Sequence, residues 1–334
     1  MILIRRLALA LVASALAVLA PVLPAAQAQA PVPGGDYPVR QVTLVVPYAA
    51  GGFADIRARK IAEKLGRALN ATVIIDNKTG AGGVLGTATI AKAPADGSVI
   101  GMGNLAPLSV NISLMGKLPY DPATDVVPVI LIERSPLVLT AAPGQGLTSV
   151  KDVIAKAKAE PGRLTYGSSG IGGAHHLSGV MFGRQAGLDI VHVPYKGGGN
   201  ASTDLLAGHI AMMFEMGYAA LPSIEAGKIK ALAVTSSHRV SLLPDVPTMA
   251  EAGLPGFESY NWQGIIAPKG TPPAIVARLN KELNAILQMP DVRDSIVSQA
   301  SEPAGGSPEE FAAFIKSETA KWAELIRAAN IKPE

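Results

Sequence analysis

The sequence predicts an α/β protein of two domains, because one structural unit recurs along it. In each copy an apolar strand runs into a glycine-rich turn, and a helix follows at once. Residues 42–65 (VTLVVPYAAGGFADIRARKIAEKL) form the first copy, and residues 72–93 form the second. Parallel strands joined by helical crossovers present their carboxyl ends at one sheet edge, where ligands bind. At 334 residues the chain is long enough for two such domains.

The first unit starts with a buried parallel strand over Val42–Pro47, which Pro47 ends because it has no N–H group for a sheet. The helix that follows is predicted to begin near Ala54. Its helical spacing predicts one apolar stripe on the sheet and one solvated face. The predicted stripe is Ile56, Ile61, Leu65 and Leu69, and the predicted solvated residues are Arg57, Arg59, Lys60 and Lys64.

Later segments repeat the same order of strand, glycine turn and helix. The turns contain Gly80–Gly83, Gly167–Gly173 and Gly197–Gly199. We therefore expect a second α/β domain after the first. Predicted strands lie at Thr72–Asp76, Val99–Met102, Leu164–Tyr166, Ile190–Val193, Ile210–Phe214 and Ile229–Thr235, and predicted helices at about 84–93, 147–159, 174–185 and 201–207.

Two crossings between the domains are predicted. Val126–Thr140 is long for one strand and leads from the first domain to the second, and Tyr260–Ala267 leads back. After that return only helices are expected: Thr271 caps one to about Leu287, and Ser307 opens a capping-box helix to Ala329. These boundaries give domain 1 as residues 37–136 plus 264–334 and domain 2 as residues 137–263, hinged as a clamshell.

The first 28 residues are predicted to be a secretory signal peptide. Arg5 and Arg6 precede an apolar run over 7–23, and Ala26-Gln27-Ala28 supplies small residues for cleavage after Ala28. A retained membrane anchor is the alternative, but Pro21 and Pro24 interrupt the short run. The mature protein is therefore expected to be exported.

Composition excludes several classes of function. The chain has no cysteine, which removes disulfides, thiolate nucleophiles and thiolate metal sites. Its net charge of +3 becomes +1 once the two arginines of the signal peptide are removed (3 − 2 = 1), so binding to nucleic acid is not expected. No metal-binding histidine spacing and no nucleotide fingerprint occurs, so we expect no metal and no cofactor.

The glycine turns predict an anion-binding site. Small residues let a ligand approach main-chain N–H groups at the helix starts, where the helix dipole is positive. For any single turn, ordinary loop structure explains the glycines equally well. Asp55 is most simply a helix cap, and Lys196 and Arg134 most simply surface residues. Glu215 is either a partner for a ligand amine or water, or a solvated strand end.

A secreted α/β hydrolase is the rival interpretation, with Ser169 as nucleophile and His175 or His176 as base. The nucleophile-elbow pattern Gly-x-Ser-x-Gly is not met, because Ile171 occupies the place of its second glycine. We therefore favour the serines as hydroxyl donors to an anion and expect no enzymatic activity.

Six stretches together resemble one family. They are TLVVPYAAGGFADIRAR, VIIDNKTGAGGVLGTATIAKAPADG, KLPYDPATD, LTYGSSGIGGAHHLSGVMF, VPYKGGGNASTDLLAGHI and LPDVPTMAEAG. The chain after residue 36 is similar to the Bug-type periplasmic receptors of tripartite tricarboxylate transporters. The resemblance implies a two-domain Venus-flytrap fold of the periplasmic-binding type, closing on a small carboxylate through main-chain amides and ordered water. It also implies a membrane transporter as partner, or a sensing role in some members, and we expect a monomer.

Two departures from the family pattern concern the ligand. Phe53 and Ala54 replace a more polar pair, and Glu215 stands where many members have aspartate. The first change favours a more apolar or aromatic carboxylate that packs on Phe53. The predicted ligand-binding residues are Tyr48, Gly51, Gly52, Phe53, Ala54, Asp55, Asn77, Ala81, Gly82, Gly83, Asn104, Ser168, Ser169, Gly172, Gly173, Tyr195, Lys196, Gly197, Gly198 and Glu215.

Overall fold

A computed structural model describes Tyr37 and residues 40–333. The predicted signal peptide and its cleavage site lie outside these residues. Within them, no helix is both long enough and apolar enough to cross a membrane.

Strands and helices alternate along most of the chain. The strands are β1 (Gln41–Val46), β2 (Thr72–Asn77), β3 (Val99–Asn104), β4 (Val126–Ala141), β5 (Thr165–Ser168), β6 (Val191–Pro194), β7 (Met212–Met216), β8 (Lys230–Val234), β9 (Tyr260–Pro268) and β10 (Glu302–Gly305). The α-helices are α1 (Phe53–Leu69), α2 (Val84–Ala91), α3 (Asn111–Met115), α4 (Val150–Ala159), α5 (Ala174–Ala186), α6 (Gly198–Leu206), α7 (Gly217–Glu225), α8 (Pro273–Leu287), α9 (Pro290–Val297) and α10 (Pro308–Ala328).

These strands form one mixed sheet in the order β2-β1-β3-β9-β4-β7-β5-β6, with β8 and β10 also paired to β4. The pairs near its two ends are parallel: β1 with β2 and β3, and β5 with β6 and β7. The central pairs, which involve β9 and β4, are antiparallel. The carboxyl ends of the parallel strands therefore carry the glycine turns, as the sequence predicts.

The long strand β4 divides this sheet. Residues 126–136 pair with β9 and β10, whereas residues 137–141 pair with β7 and β8. We call β1, β2, β3, β9, β10 and residues 126–136 the first half-sheet, and β5 to β8 with residues 137–141 the second half-sheet. The long apolar run predicted for this segment is thus one strand, shared by both.

Helix α1 buries a different face from the one predicted. Ile61, Leu65 and Leu69 are buried as expected, but Ile56 is 46% exposed and Arg57 is only 1% exposed. Arg57 lies four residues before Ile61 and so faces the same side of the helix. Its charge is tolerated there because it pairs with the buried carboxylate of Glu133. The prediction that the Arg57 side chain is solvated is therefore wrong.

The hydrophobic core of the first half-sheet lies between its strands and the pair α1 and α8. Leu44 of β1, Leu65 of α1, and Leu279 and Leu283 of α8 are all fully buried in one hydrophobic cluster. Burying one such side chain is worth roughly 1.5–3 kcal/mol. This packing fixes the start of α1, and hence the loop that precedes it.

The region after β9 differs from its prediction in three places. Residues 302–305 form a strand paired antiparallel with β4, where no further strand was expected. Helix α9 was also not predicted. Thr271 does not cap α8, because the N-cap of that helix is Pro272. The hydroxyl of Thr271 donates instead to the carbonyl of Pro268 (2.8 Å). The capping box at Ser307 is confirmed, since Ser307 and Glu310 bond reciprocally.

Candidate functional site

In the loop before α1, the N–H groups of the two glycines are hydrogen-bonded within the loop itself. The N–H of Gly51 donates to Asp55 Oδ2 (2.8 Å), and the N–H of Gly52 donates to the carbonyl of Ala49 (3.2 Å). No side chain caps the start of α1. In the described part of the chain, the free donors here are therefore the first helical N–H groups, those of Phe53, Ala54 and Asp55. The N–H groups available to an anion are thus those of the helix start, not those of Gly51 and Gly52.

Asp55 and Asn77 stabilise this loop through their side chains. Asp55 is buried and accepts hydrogen bonds from Arg59 Nε (2.8 Å), Gly51 N–H and Asn77 Nδ2 (3.0 Å). These hydrogen bonds, above all the one from Arg59, lower the pKa of Asp55 to about 2. Asn77 Nδ2 also donates to the carbonyl of Tyr48 (3.0 Å). Both side chains are thus engaged within the protein.

The second glycine turn requires its glycines. Gly80, Gly82 and Gly83 have φ values of 139°, 60° and 91°, which L side chains rarely adopt. A Cβ at Gly83 would lie 3.1 Å from the hydroxyl of Tyr48, so this turn packs directly on that ring. Burial of Tyr48 raises its pKa. Ala81 shares the left-handed conformation, with φ of 47°.

In the second half-sheet, the loop over 168–173 is held by hydroxyl and imidazole groups. The buried Ser168 Oγ accepts from the N–H of Gly170 (3.1 Å) and lies 2.6 Å from His192 Nε2. The N–H of Gly172 donates to His176 Nδ1 (3.2 Å). Burial lowers the pKa of His192 to about 4 and that of His176 to about 3. Neutral groups therefore organise this loop.

Helices α5 and α6 both start beside this loop without a side-chain cap. The N-cap residues are Gly173 and Gly197, and the first free N–H groups belong to Ala174 and Gly198. A Cβ at Gly198 would lie 3.8 Å from the imidazole of His175, so the two helix starts are neighbours. They present a second group of amide donors.

Other predicted residues around α6 have internal contacts. Tyr195 Oη donates to Asp204 (2.7 Å), and its N–H donates to the carbonyl of Ser168 (3.0 Å). The N–H of Gly197 donates to the carbonyl of Tyr195 (2.9 Å). Lys196 is exposed. Tyr195 thus joins the loops after β5 and β6.

Glu215 is not a solvated strand end. Its side chain is 1% exposed and accepts hydrogen bonds from Thr140 Oγ1 (3.1 Å) and Ser202 Oγ. Burial raises its pKa. It therefore connects β4, α6 and β7 through buried hydrogen bonds.

Asn104 ends a buried chain of polar groups in the first half-sheet. Arg57 Nε donates to Glu133 (2.9 Å), Gln263 Nε2 donates to Glu133 (2.7 Å), and Asn104 Nδ2 donates to Gln263 Oε1 (3.3 Å). An ionised carboxylate only accepts hydrogen bonds, so Glu133 sets the donor and the acceptor in each of these three hydrogen bonds. Among the described residues, Asn104 Oδ1 is left as a buried acceptor without a protein donor.

Sequence reasoning missed Tyr218. This residue lies at the start of α7, and its ring stacks on that of Phe53 with centroids 5.2 Å apart and planes 4° from parallel. The signal was the segment after β7, where Gly217 again follows a strand and precedes a helix. Helix α7 was not predicted, so this copy of the repeated unit was overlooked.

The hydrolase pair is only partly assembled. Ser169 Oγ lies 2.8 Å from His175 Nδ1, so nucleophile and base are in contact. Among the described residues, no carboxylate accepts a hydrogen bond from His175, and burial lowers the pKa of His175 to about 4. A triad base needs both an orienting partner and a pKa near neutrality. The described residues also contain no group of three metal ligands.

Two surface depressions lie away from these loops. One, of about 490 Å³, is lined by residues of α1 and β2 that include Glu63, Arg67 and Thr72. The other, of about 320 Å³, lies between α4 and β5 near Lys156 and Arg163. Neither contains an uncapped start of a helix longer than one turn. The strand-end loops remain the better candidate for a ligand site.

The family model of the tripartite tricarboxylate transporter family receptor matches residues 57–331. The chain belongs to this receptor family. Protein BugT of Bordetella pertussis is 39% identical to the receptor over 304 residues, which are 91% of this chain and 93% of BugT. The resemblance to Bug-type receptors is thereby confirmed.

Solved structures confirm the predicted fold class, an α/β fold of the periplasmic-binding type. The receptor is similar to Rpa4515 of R. palustris with adipate, with a TM-score of 0.82, 38% identity and coverage of 90% of this chain and 100% of that one. It is also similar to MatC (Rpa3494) from Rhodopseudomonas palustris with bound malate, with a TM-score of 0.77, 32% identity and coverage of 87% and 100%. Members of this family are periplasmic binding proteins.

Proposed function

We propose that the receptor captures a small dicarboxylate between its two half-sheets and delivers it to a tripartite tricarboxylate-type membrane transporter. The observation that carries this proposal is the set of uncapped helix starts at the strand ends. Helix α1 belongs to the first half-sheet, and α5 and α6 to the second. Their N–H groups suit a carboxylate because helix dipole and hydrogen bonding act together.

The strength of such a site suffices for a transport receptor. A hydrogen bond to a charged group is worth roughly 1.5–3 kcal/mol, and micromolar affinity requires about −8 kcal/mol. About five amides or hydroxyls reach that value after the cost of ordering the complex. No arginine in the site is needed, which agrees with the engagement of Arg57 by Glu133 and of Arg134 by Glu302 (3.1 Å).

The chemistry of the loops supports an aliphatic rather than a strongly polar ligand. Phe53 places a ring at the start of α1, directly beside the free amides. Rpa4515 and MatC were solved with adipate and malate, which are both dicarboxylates. Of these two, adipate has an all-methylene body that suits a phenyl ring. We therefore propose an adipate-like ligand for this receptor.

The binding residues, domain boundaries and location belong to the same proposal. The residues predicted from the sequence line the site chiefly through backbone and shape, since Asp55, Asn77, Ser168 and Glu215 use their side chains within the protein. Residues 37–136 plus 264–334 and residues 137–263 move as two lobes. The protein is an exported monomer without catalytic activity, with its signal peptide cleaved near Ala28.

Calorimetric titration with adipate, malate, citrate and benzoate tests the ligand class. The matched control is adipamide, which has the length of adipate but no charge. We expect adipate to bind with micromolar affinity and adipamide not to bind. At a hundred times its dissociation constant, adipate should add about 2.7 kcal/mol to the free energy of unfolding. Equal binding of adipamide, or no binding of any acid, would contradict the proposal.

The hydrolase remains a second candidate because Ser169 and His175 are in contact. Incubation with short-chain aryl esters distinguishes the two functions. The receptor proposal predicts no turnover above that of a Ser169→Ala variant. Turnover that this variant abolishes would establish catalysis instead.

A further inference from the structure

The ring stack of Phe53 and Tyr218 joins two elements that start on different half-sheets. Phe53 is the first residue of α1, and Tyr218 is the second residue of α7, which follows β7. The centroid distance of 5.2 Å with nearly parallel planes is an offset stack. Gly172 supplies a neighbouring contact, since a Cβ there would lie 2.6 Å from Leu114 of α3. The half-sheets thus meet at the strand-end loops.

Both rings are placed where a ligand would reach them. Phe53 is partly buried against the core, and Tyr218 is 40% exposed. The free N–H groups of α1 begin at Phe53 itself. Tyr218 follows Glu215 by three residues. Burial, and to a smaller extent the nearby Glu215 carboxylate, raises the pKa of Tyr218. The ring pair therefore borders the amide donors on one side and the buried Glu215 on the other.

We propose that Phe53 and Tyr218 together form the apolar wall of the ligand chamber and determine its specificity. This inference rests on the proposed function. The ring pair favours a ligand whose two carboxylates are separated by methylene groups, because the methylene groups contact the ring edges. A ligand hydroxyl that contacts the ring carbons loses its hydrogen bonds to water and gains none from those carbons, which costs affinity.

The stack also defines where the guest lies. A third ring between Phe53 and Tyr218 would need their centroids about 7 Å apart, two ring-contact distances, instead of 5.2 Å. The guest therefore lies along the edge of the pair and leaves the stack intact. An adipate chain fits this arrangement, and the pair completes the wall only when the half-sheets are together.

Calorimetry with adipate and malate tests the specificity of this wall. The variants are Phe53→Ala, Tyr218→Ala and Tyr218→Phe, with Leu242→Ala as control because Leu242 is equally exposed (42%) and lies outside the site. We expect either alanine variant to weaken adipate by about 2- to 12-fold, the range of an aromatic pair contact. Malate affinity should change by less than about twofold, and Tyr218→Phe and Leu242→Ala should bind as wild type.

A ligand-free double-mutant cycle separates this inference from the proposed function. Chemical unfolding of Phe53→Ala, Tyr218→Ala and the double variant should show coupling between the two rings. If the cycle shows coupling and wild type binds adipate, but the alanine variants lose adipate and malate equally or lose neither, the wall is refuted and the receptor function stands. Additive effects in the cycle refute the wall as well. If wild type binds no dicarboxylate, both ideas fail.

Discussion

The groups that hold the strand-end loop are ionised in the first half-sheet and neutral in the second. Asp55, with its pKa lowered to about 2, holds the loop before α1, and Arg57 pairs with Glu133 beneath it. In the second half-sheet the loop rests on serines and on histidines whose pKa values burial lowers. The same pattern of strand, glycine turn and helix is thus stabilised by two kinds of chemistry.

This difference indicates where a carboxylate binds most favourably. Near α1 an incoming anion meets the negative charge of Asp55, although Arg59 and two amides offset it. Beside α5 the serine and histidines that hold the loop are uncharged at neutral pH, whereas the carboxylates Asp204 and Glu215 bond to Tyr195 and Ser202 on the α6 side. We therefore expect the first carboxylate of the ligand at the start of α5, and the far end of the ligand near Phe53.

The largest effect is expected from a substitution that removes the buried ion pair of the first half-sheet. Arg57→Met leaves Glu133 buried without its cation and should lower the free energy of unfolding by about 3–5 kcal/mol. Denaturant unfolding measures this loss. The double variant Arg57→Met/Glu133→Leu should recover most of it, because no unpaired charge remains. A single variant as stable as wild type would show that the ion pair is not needed.

The second prediction concerns the neutral histidines of the second half-sheet and the dependence of stability on pH. Folded His175 has a pKa of about 4, below its ordinary 6.5, so the unfolded chain binds more protons between these values. Stability should therefore be complete above pH 6.5 and fall as the pH drops towards 4. His175→Asn should reduce the slope by up to about 1.4 kcal/mol per pH unit. His209→Asn, in the exposed turn after α6, controls for the substitution. An unchanged slope in His175→Asn would contradict this account.

Asp55 sharpens the comparison with a smaller effect. Asp55→Asn keeps the size of the side chain but removes its charge, so Gly51 N–H and Arg59 lose an ionised acceptor. We expect a loss of about 1–3 kcal/mol at pH 7. The folded pKa of about 2 lies below the ordinary 3.8, so this stabilisation is present above pH 3.8 and is lost as the pH falls towards 2. Denaturant unfolding at pH 7 and pH 3 should show the difference between variant and wild type shrinking. A constant difference would mean that the charge of Asp55 is unimportant.

Much of the fold could be predicted because its signals are local. Apolar strands followed by glycine turns and helices predicted both ends of the sheet, and the long run over β4 predicted the shared strand. Ser307 predicted its capping box from four adjacent residues. Each of these patterns is stabilised by neighbours in the sequence, so residue order alone reveals it.

The errors arise where distant residues decide. Arg57 is buried because Glu133, 76 positions away, supplies its counter-charge. The four-residue strand β10 contains Pro303 and exists through pairing with β4. Tyr218 became a site candidate only once its stack on Phe53 was seen. By contrast, the bond from Gly51 N–H to Asp55 spans four residues and could have been anticipated.

The most direct test of the central claim concerns one amide. Ala174 is the first residue of α5, and Gly173 before it is extended (φ −75°, ψ 162°), so proline fits at this position. Ala174→Pro removes one N–H donor that no intrahelical bond uses, whereas Ala174→Gly keeps it. We predict that Ala174→Pro weakens adipate binding by about 10- to 150-fold in calorimetry, the value of one hydrogen bond to a charge, while Ala174→Gly stays within about threefold of wild type. Equal adipate affinity in the proline variant and wild type would contradict the claim that the start of α5 holds the carboxylate.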